Sequence, residues 1–77
     1  MDKDKIKEII ESSLDGSSAI VDGGEGKYNA TIVYKCFDGL NTVKRHKVVY
    51  NSLNSYIQSG ELHAISLKTF SSEEEKT

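Results

Sequence analysis

The 77-residue chain has no proline, no tryptophan and a single cysteine. Without proline there is no cis-proline step and no ring-fixed turn, so glycine, asparagine, aspartate and serine must supply the chain reversals. One thiol, Cys36, cannot close an intramolecular disulfide. That excludes a disulfide-stapled scaffold and points to a reducing compartment. Apolar runs stop at two or three residues, far short of the ~18 a membrane helix needs. Met1–Lys7 mixes both charges and has no apolar core, so neither a secretory signal nor an Arg-rich transit peptide is read there. A surplus of positive charge is also missing. Ten Lys and Arg face twelve Asp and Glu, a net −2, so no molecule-wide basic field attracts nucleic acid. The expected location is cytoplasmic, with a mitochondrial one left open if a presequence precedes these residues.

Catalytic signatures are lacking as well. No glycine elbow surrounds a serine, no Cys–His nucleophile pattern occurs, and no glycine-rich phosphate loop runs into Lys-Ser/Thr. A ligand-sized pocket is hard to carve from so small a core. We therefore expect a binding protein rather than an enzyme, and assign no catalytic residue.

What is present is ordinary for a globular domain: 36% hydrophobic and 29% charged residues. The length fits one domain spanning 1–77. Ile6, Ile9, Ile10 and Leu14 fall on one stripe of an amphipathic helix over Asp4–Leu14, stopped by Asp15-Gly16. Ser17–Asp22 reads as a short strand and Asp22–Gly26 as a glycine loop. Tyr28–Lys35 alternates with period two and is rich in β-branched and aromatic residues, as a half-buried strand requires. Phe37-Asp38-Gly39 turns the chain, and Asn41 or Thr42 can cap a second helix over Thr42–Gln58. Its apolar positions are Val43, Val48, Val49, Leu53, Tyr56 and Ile57, and Ser59-Gly60 ends it. His63–Phe70 alternates again as a third strand. Ser71–Thr77 either starts a short helix or stays a frayed acidic end. The order α-β-β-α-β places two helices on one face of a three-stranded sheet, a two-layer α+β architecture.

The turn Phe37-Asp38-Gly39, the helical run Arg45-His46 with Val49-Tyr50, and the strand His63-Ala64-Ile65-Ser66-Leu67-Lys68-Thr69 together resemble the BolA-like family. That family carries F-x-G, R-H-x-x-V-Y and H-A-x-x-L-K-T in this order and at about this spacing. The resemblance covers nearly the whole chain. It implies a fold like the class II KH domain with a mixed sheet. It also implies a monothiol glutaredoxin partner, with glutathione, sharing a [2Fe–2S] cluster that the isolated chain does not hold. The histidine of the last motif, His63 here, is implied as a ligand. Several members add a Cys or His from the loop between the first two strands. Here that loop reads Gly23-Gly24-Glu25-Gly26, with Glu25 at the place of the second ligand. A carboxylate is a harder and weaker ligand for iron–sulfur iron than thiolate or imidazole. Gly24, Gly26, His63 and Ala64 form the implied docking surface, and the chain is expected to be a monomer when alone.

Two further groups call for a reading. His46 lies among cations in Lys44-Arg45-His46-Lys47, a poor setting for a metal, and is read as a structural position. Cys36 is read as a packing residue. The alternative function rests on Lys44, Arg45 and Lys47, the one dense basic cluster, as the grip of a nucleic-acid-binding regulator. The G-x-x-G at Gly23–Gly26 falls between strands, not between helices as in KH domains, so it does not support that alternative.

Overall fold

The computed structural model describes residues 2–25 and 27–72. The first helix, α1, spans Lys3–Ser13. Its N-cap is Asp2, whose carboxylate accepts the Lys5 amide N–H at 2.8 Å and satisfies one of the helix's orphan donors. Ile6 and Ile10 on α1 are buried, as is Leu14 just beyond it, whereas Ile9 packs at the margin. Strand β1 spans Ser18–Gly24 and β2 spans Lys27–Val33, paired antiparallel from Ser18↔Val33 to Gly24↔Lys27. The expected glycine loop is therefore shorter than the sequence reading gave. Gly23 and Gly24 belong to β1, and only positions 25 and 26 join the strands. Gly23 has φ +110°, and a Cβ there would lie 2.4 Å from the Lys27 carbonyl oxygen, so the close approach of the two backbones admits only glycine.

A short 3-10 turn, Lys35–Phe37, follows β2 where the sequence reading continued the strand to Lys35. Helix α2 spans Thr42–Ser59, with the Asn41 side chain accepting the Lys44 N–H at 2.9 Å and Gly60 in the left-handed conformation at the C-cap. Strand β3 spans Ala64–Phe70 and runs parallel to β2, from Lys27↔Ala64 to Val33↔Phe70. The sheet order is β1-β2-β3, a mixed three-stranded sheet. The α+β class and the element order are as the sequence reading has them. The helical turn considered for Ser71–Thr77 falls mostly on residues outside those described.

Both helices pack on one face. Ala19, Val21, Tyr28, Ala30 and Ile32 alternate inward from the sheet and meet Ile6, Ile10, Val49 and Leu53 from the helices. Each fully buried Ile or Leu contributes ~1.5–3 kcal/mol of transfer free energy. Of the expected apolar positions on α2, Val43 turns outward at 63% exposure, and Ile57 lies on the surface as well. Tyr50 is also exposed there, so α2 shows water more apolar surface than the sequence reading allowed. Among the described residues no helix is long and apolar enough to cross a membrane.

The 3-10 turn, α2 and β3 are joined by one side chain. Arg45 is only 9% exposed. Its Nε donates to the Phe37 carbonyl at 3.1 Å and to the Leu40 carbonyl at 2.8 Å, and its Nη1 donates to the Thr69 carbonyl at 3.3 Å. The guanidinium carbon also lies 5.9 Å from the centre of the fully buried Phe37 ring.

Candidate functional site

Gly60 ends α2 with φ +84°, and the chain then doubles back into β3. Leu62 plugs the core at 1% exposure, and its N–H donates to the Tyr56 carbonyl at 3.1 Å. His63, the next residue, is exposed, and Ala64 opens the parallel ladder opposite Lys27. An open groove of about 260 Å³ borders the imidazole, lined by Tyr50, Ile57, Leu62, His63, Ala64 and Ile65. The groove is mostly apolar, with the imidazole and the Tyr50 phenol as its polar side chains.

The register places the other expected site residues at the same end of the sheet. Gly24 pairs with Lys27, and Lys27 pairs with Ala64, so a single row crosses all three strands immediately beside His63. Glu25 follows that row at the tip of the hairpin, exposed and with φ +55°, a left-handed conformation rarely adopted by a residue with a Cβ. Gly24, Glu25, His63 and Ala64 are thus gathered at one end of the sheet. Gly26 lies outside the described residues. Parallel pairing of β3 with β2 is what brings a residue past the end of α2 beside a hairpin tip nearly forty positions earlier.

His63 can offer an imidazole nitrogen to a soft or borderline metal centre. Among the described residues, no three His, Cys, Asp or Glu side chains converge into a metal site.

The other candidates lie elsewhere. Cys36 sits in the 3-10 turn after the far end of β2. About seven residues of strand at ~3.3 Å each separate it from the hairpin end. The packing role expected for Cys36 is corrected by the structure, which leaves the residue exposed. Hydrogen bonding to Cys36, with burial adding to it, pushes the Tyr34 phenol above its ordinary range. His46 is half-buried on α2 with its ring edge-on to Tyr50, the centroids 6.3 Å apart, in keeping with a structural position. The basic cluster is broken up by the fold. Lys44 and Lys47 are exposed, but Arg45 is turned inward onto three backbone carbonyls and cannot reach a phosphate backbone. Its expected place in a nucleic-acid grip is withdrawn, and two lysines make a sparse footprint for such a ligand.

Sequence reasoning missed the groove. Leu62 was legible as a single apolar residue between the Gly60 stop and the strand. Tyr50 and Ile57 lie seven apart, so they share a helix face, but nothing in the local pattern said that the face borders His63.

A family model described as BolA-like protein matches residues 3–74. An uncharacterized protein encoded in the rpoN-murA intergenic region of Acinetobacter guillouiae is 36% identical over 74 residues, covering 96% of this chain and 89% of that protein. The structure of a bolA protein homologue from Coxiella burnetii superimposes with a TM-score of 0.91 at 35% identity, covering 100% of this chain and 99% of that one. The BolA domain of SufE1 from Arabidopsis thaliana superimposes with a TM-score of 0.81 at 32% identity, covering 94% and 93% of the two chains.

Proposed function

The chain belongs to the BolA-like family, and from that premise we propose that it is a cytoplasmic interaction protein rather than an enzyme. It binds a monothiol glutaredoxin and takes part in assembling, sharing or transferring a [2Fe–2S] cluster, with His63 supplying one ligand. The cluster is cargo held between two proteins. Thiolates of the glutaredoxin and of glutathione supply most of the coordination, and His63 supplies an imidazole. The observation that carries this reading is the exposed His63 at the sheet end it shares with Gly24, Ala64 and the Glu25 turn. A lone exposed imidazole, with no convergent ligand set around it among the described residues, suits a group that completes another protein's site. The occurrence of a BolA domain in a SufE protein supports an iron–sulfur setting.

The test is anaerobic titration of the protein into a [2Fe–2S]-loaded monothiol glutaredoxin with glutathione, followed by visible circular dichroism. A new spectrum that saturates at one to one is expected for the native protein. His63→Ala should remove that spectrum while its far-ultraviolet spectrum stays native. Glu25→Cys should slow cluster loss, because thiolate is the better ligand for the iron. A His63→Ala spectrum identical to that of the native protein would sink the ligand assignment.

A further inference from the structure

We propose that Tyr50 is the positioning residue for His63, an inference that rests on the reading above and assigns a role to a signature residue outside the cluster's ligands. The backbone on either side of His63 is tied to α2 at two points. Before it, Leu62 is buried and donates its N–H to the Tyr56 carbonyl at 3.1 Å. After it, the Ile65 carbonyl accepts the Tyr50 hydroxyl at 3.3 Å. His63 and Ala64 bridge the two tethers.

Strand geometry explains why the second tether is needed. The Phe70 carbonyl accepts the Tyr34 N–H at 3.0 Å, so it points toward the β2 side of the strand. Alternation then directs Ala64, Ser66 and Lys68 the same way, and turns the carbonyls of Ile65, Leu67 and Thr69 to the open edge. Helix α2 meets that edge at both ends. Arg45 holds the Thr69 carbonyl and Tyr50 holds the Ile65 carbonyl. The Tyr50 ring lines the groove beside His63 and is braced edge-on by His46. Arg45 and Tyr50 thus hold the two ends of the open edge of β3, with His46 against the Tyr50 ring and His63 just ahead of the Tyr50 tether. Without the phenol oxygen, the first residues of β3 form an edge that can fray, and the imidazole is presented in many orientations. A ligand must be held within fractions of an ångström by its supporting shell, so this freedom weakens its bond to iron.

The experiment is Tyr50→Phe, which keeps the ring and removes the hydroxyl, with Tyr34→Phe at the opposite end of the sheet as the control. Amide hydrogen exchange in the isolated protein should accelerate several-fold at Ala64 and Ser66, whose N–H groups face β2, in Tyr50→Phe and remain native in Tyr34→Phe. In the titration with cluster-loaded glutaredoxin, Tyr50→Phe should still give the His63-dependent spectrum but lose the cluster several-fold faster. Binding of cluster-free glutaredoxin, followed by NMR shifts, should be unchanged. Native exchange rates, or a native rate of cluster loss, in Tyr50→Phe would overturn the inference. Failure of the unsubstituted protein to give a His63-dependent spectrum would overturn the cluster reading itself, and the two failures are distinguished by which protein shows them.

Discussion

A guanidinium has five N–H donors and keeps its charge at any physiological pH, so burying one to 9% exposure demands acceptors on several sides. Arg45 finds them on the backbone, at Phe37, Leu40 and Thr69, and lays its plane near the Phe37 ring. Arg45→Met keeps the apolar stem but removes the guanidinium donors from these carbonyls, of which that of Phe37 keeps a second donor, the Leu40 N–H at 3.0 Å. It should destabilise the fold by ~2–4 kcal/mol in urea denaturation. Arg45→Lys should recover only part of that loss, because an ammonium on a flexible stem cannot reproduce the rigid fork. A Lys variant as stable as the parent would mean that charge alone, and not the fork, is what the site needs. None of this was legible in Lys44-Arg45-His46-Lys47, where Arg45 read as one of three cations in a basic cluster. The inward turn of the second follows from where β3 ends, a fact that no local pattern holds.

The elements guard their open sides with side chains from the helices. On β1, the outward N–H of Ala19 donates to the Glu11 carboxylate at 3.0 Å and its carbonyl accepts Lys7 Nζ at 2.8 Å. Lys7 and Glu11 are themselves 2.9 Å apart, one turn along α1. A strand edge with unmet backbone groups invites pairing with another chain, and this clamp removes one such pair of groups. The Ala19 N–H and then the Lys7 ammonium hold the Glu11 carboxyl below its usual value of 4.5. A carboxylate with a depressed pKa stabilises the fold above its unfolded value, and that contribution is lost as the pH falls through the lower, folded value. Glu11→Gln should therefore cost ~0.5–1.5 kcal/mol at neutral pH. The gap to the parent should close as the pH is taken well below 4.5. Denaturation midpoints at a series of pH values measure this, and a gap that does not change with pH would show that the carboxylate's charge is not involved. The helices themselves were legible from apolar spacing, β2 and β3 from alternation, and β1 from the short apolar run Ala19-Ile20-Val21. Their ends were less so. Gly23 and Gly24 read as loop because glycine discourages strands, and the ladder holds them regardless. Lys35–Phe37 read as strand and turn because three residues are too few to show a helical period.

For the whole molecule, the margin is thin. A chain of this length has about 4–12 kcal/mol of net stability by the usual per-residue range. Phe37 lies fully buried where the 3-10 turn, α2 and β2 meet, with its ring 5.2 Å from Tyr34 in an edge-on contact. Phe37→Ala should cost ~3–5 kcal/mol, a large share of the total. The thermal midpoint followed by circular dichroism should drop by at least ~12 °C. A drop of only a few degrees would mean that the neighbouring side chains collapse into the space. The two-layer architecture was readable from the order of elements. The site was readable only in part: His63 and Glu25 were singled out by motif, but their meeting at one end of the sheet depends on the parallel register. The groove between Tyr50, Ile57 and Leu62 depends on how α2 lies against β3, which is a property of the assembled fold.

The parallel run of β3 beside β2 also sends the polypeptide away from its own working end. His63 precedes β3 and Phe70 closes it at the opposite end of the sheet, seven paired residues further on. A passenger grafted after this strand would hang from the side remote from the imidazole, on a leash that need not cross the groove. Such a module can be spliced ahead of another polypeptide without smothering its own contact face, so the direction of one strand makes the unit portable.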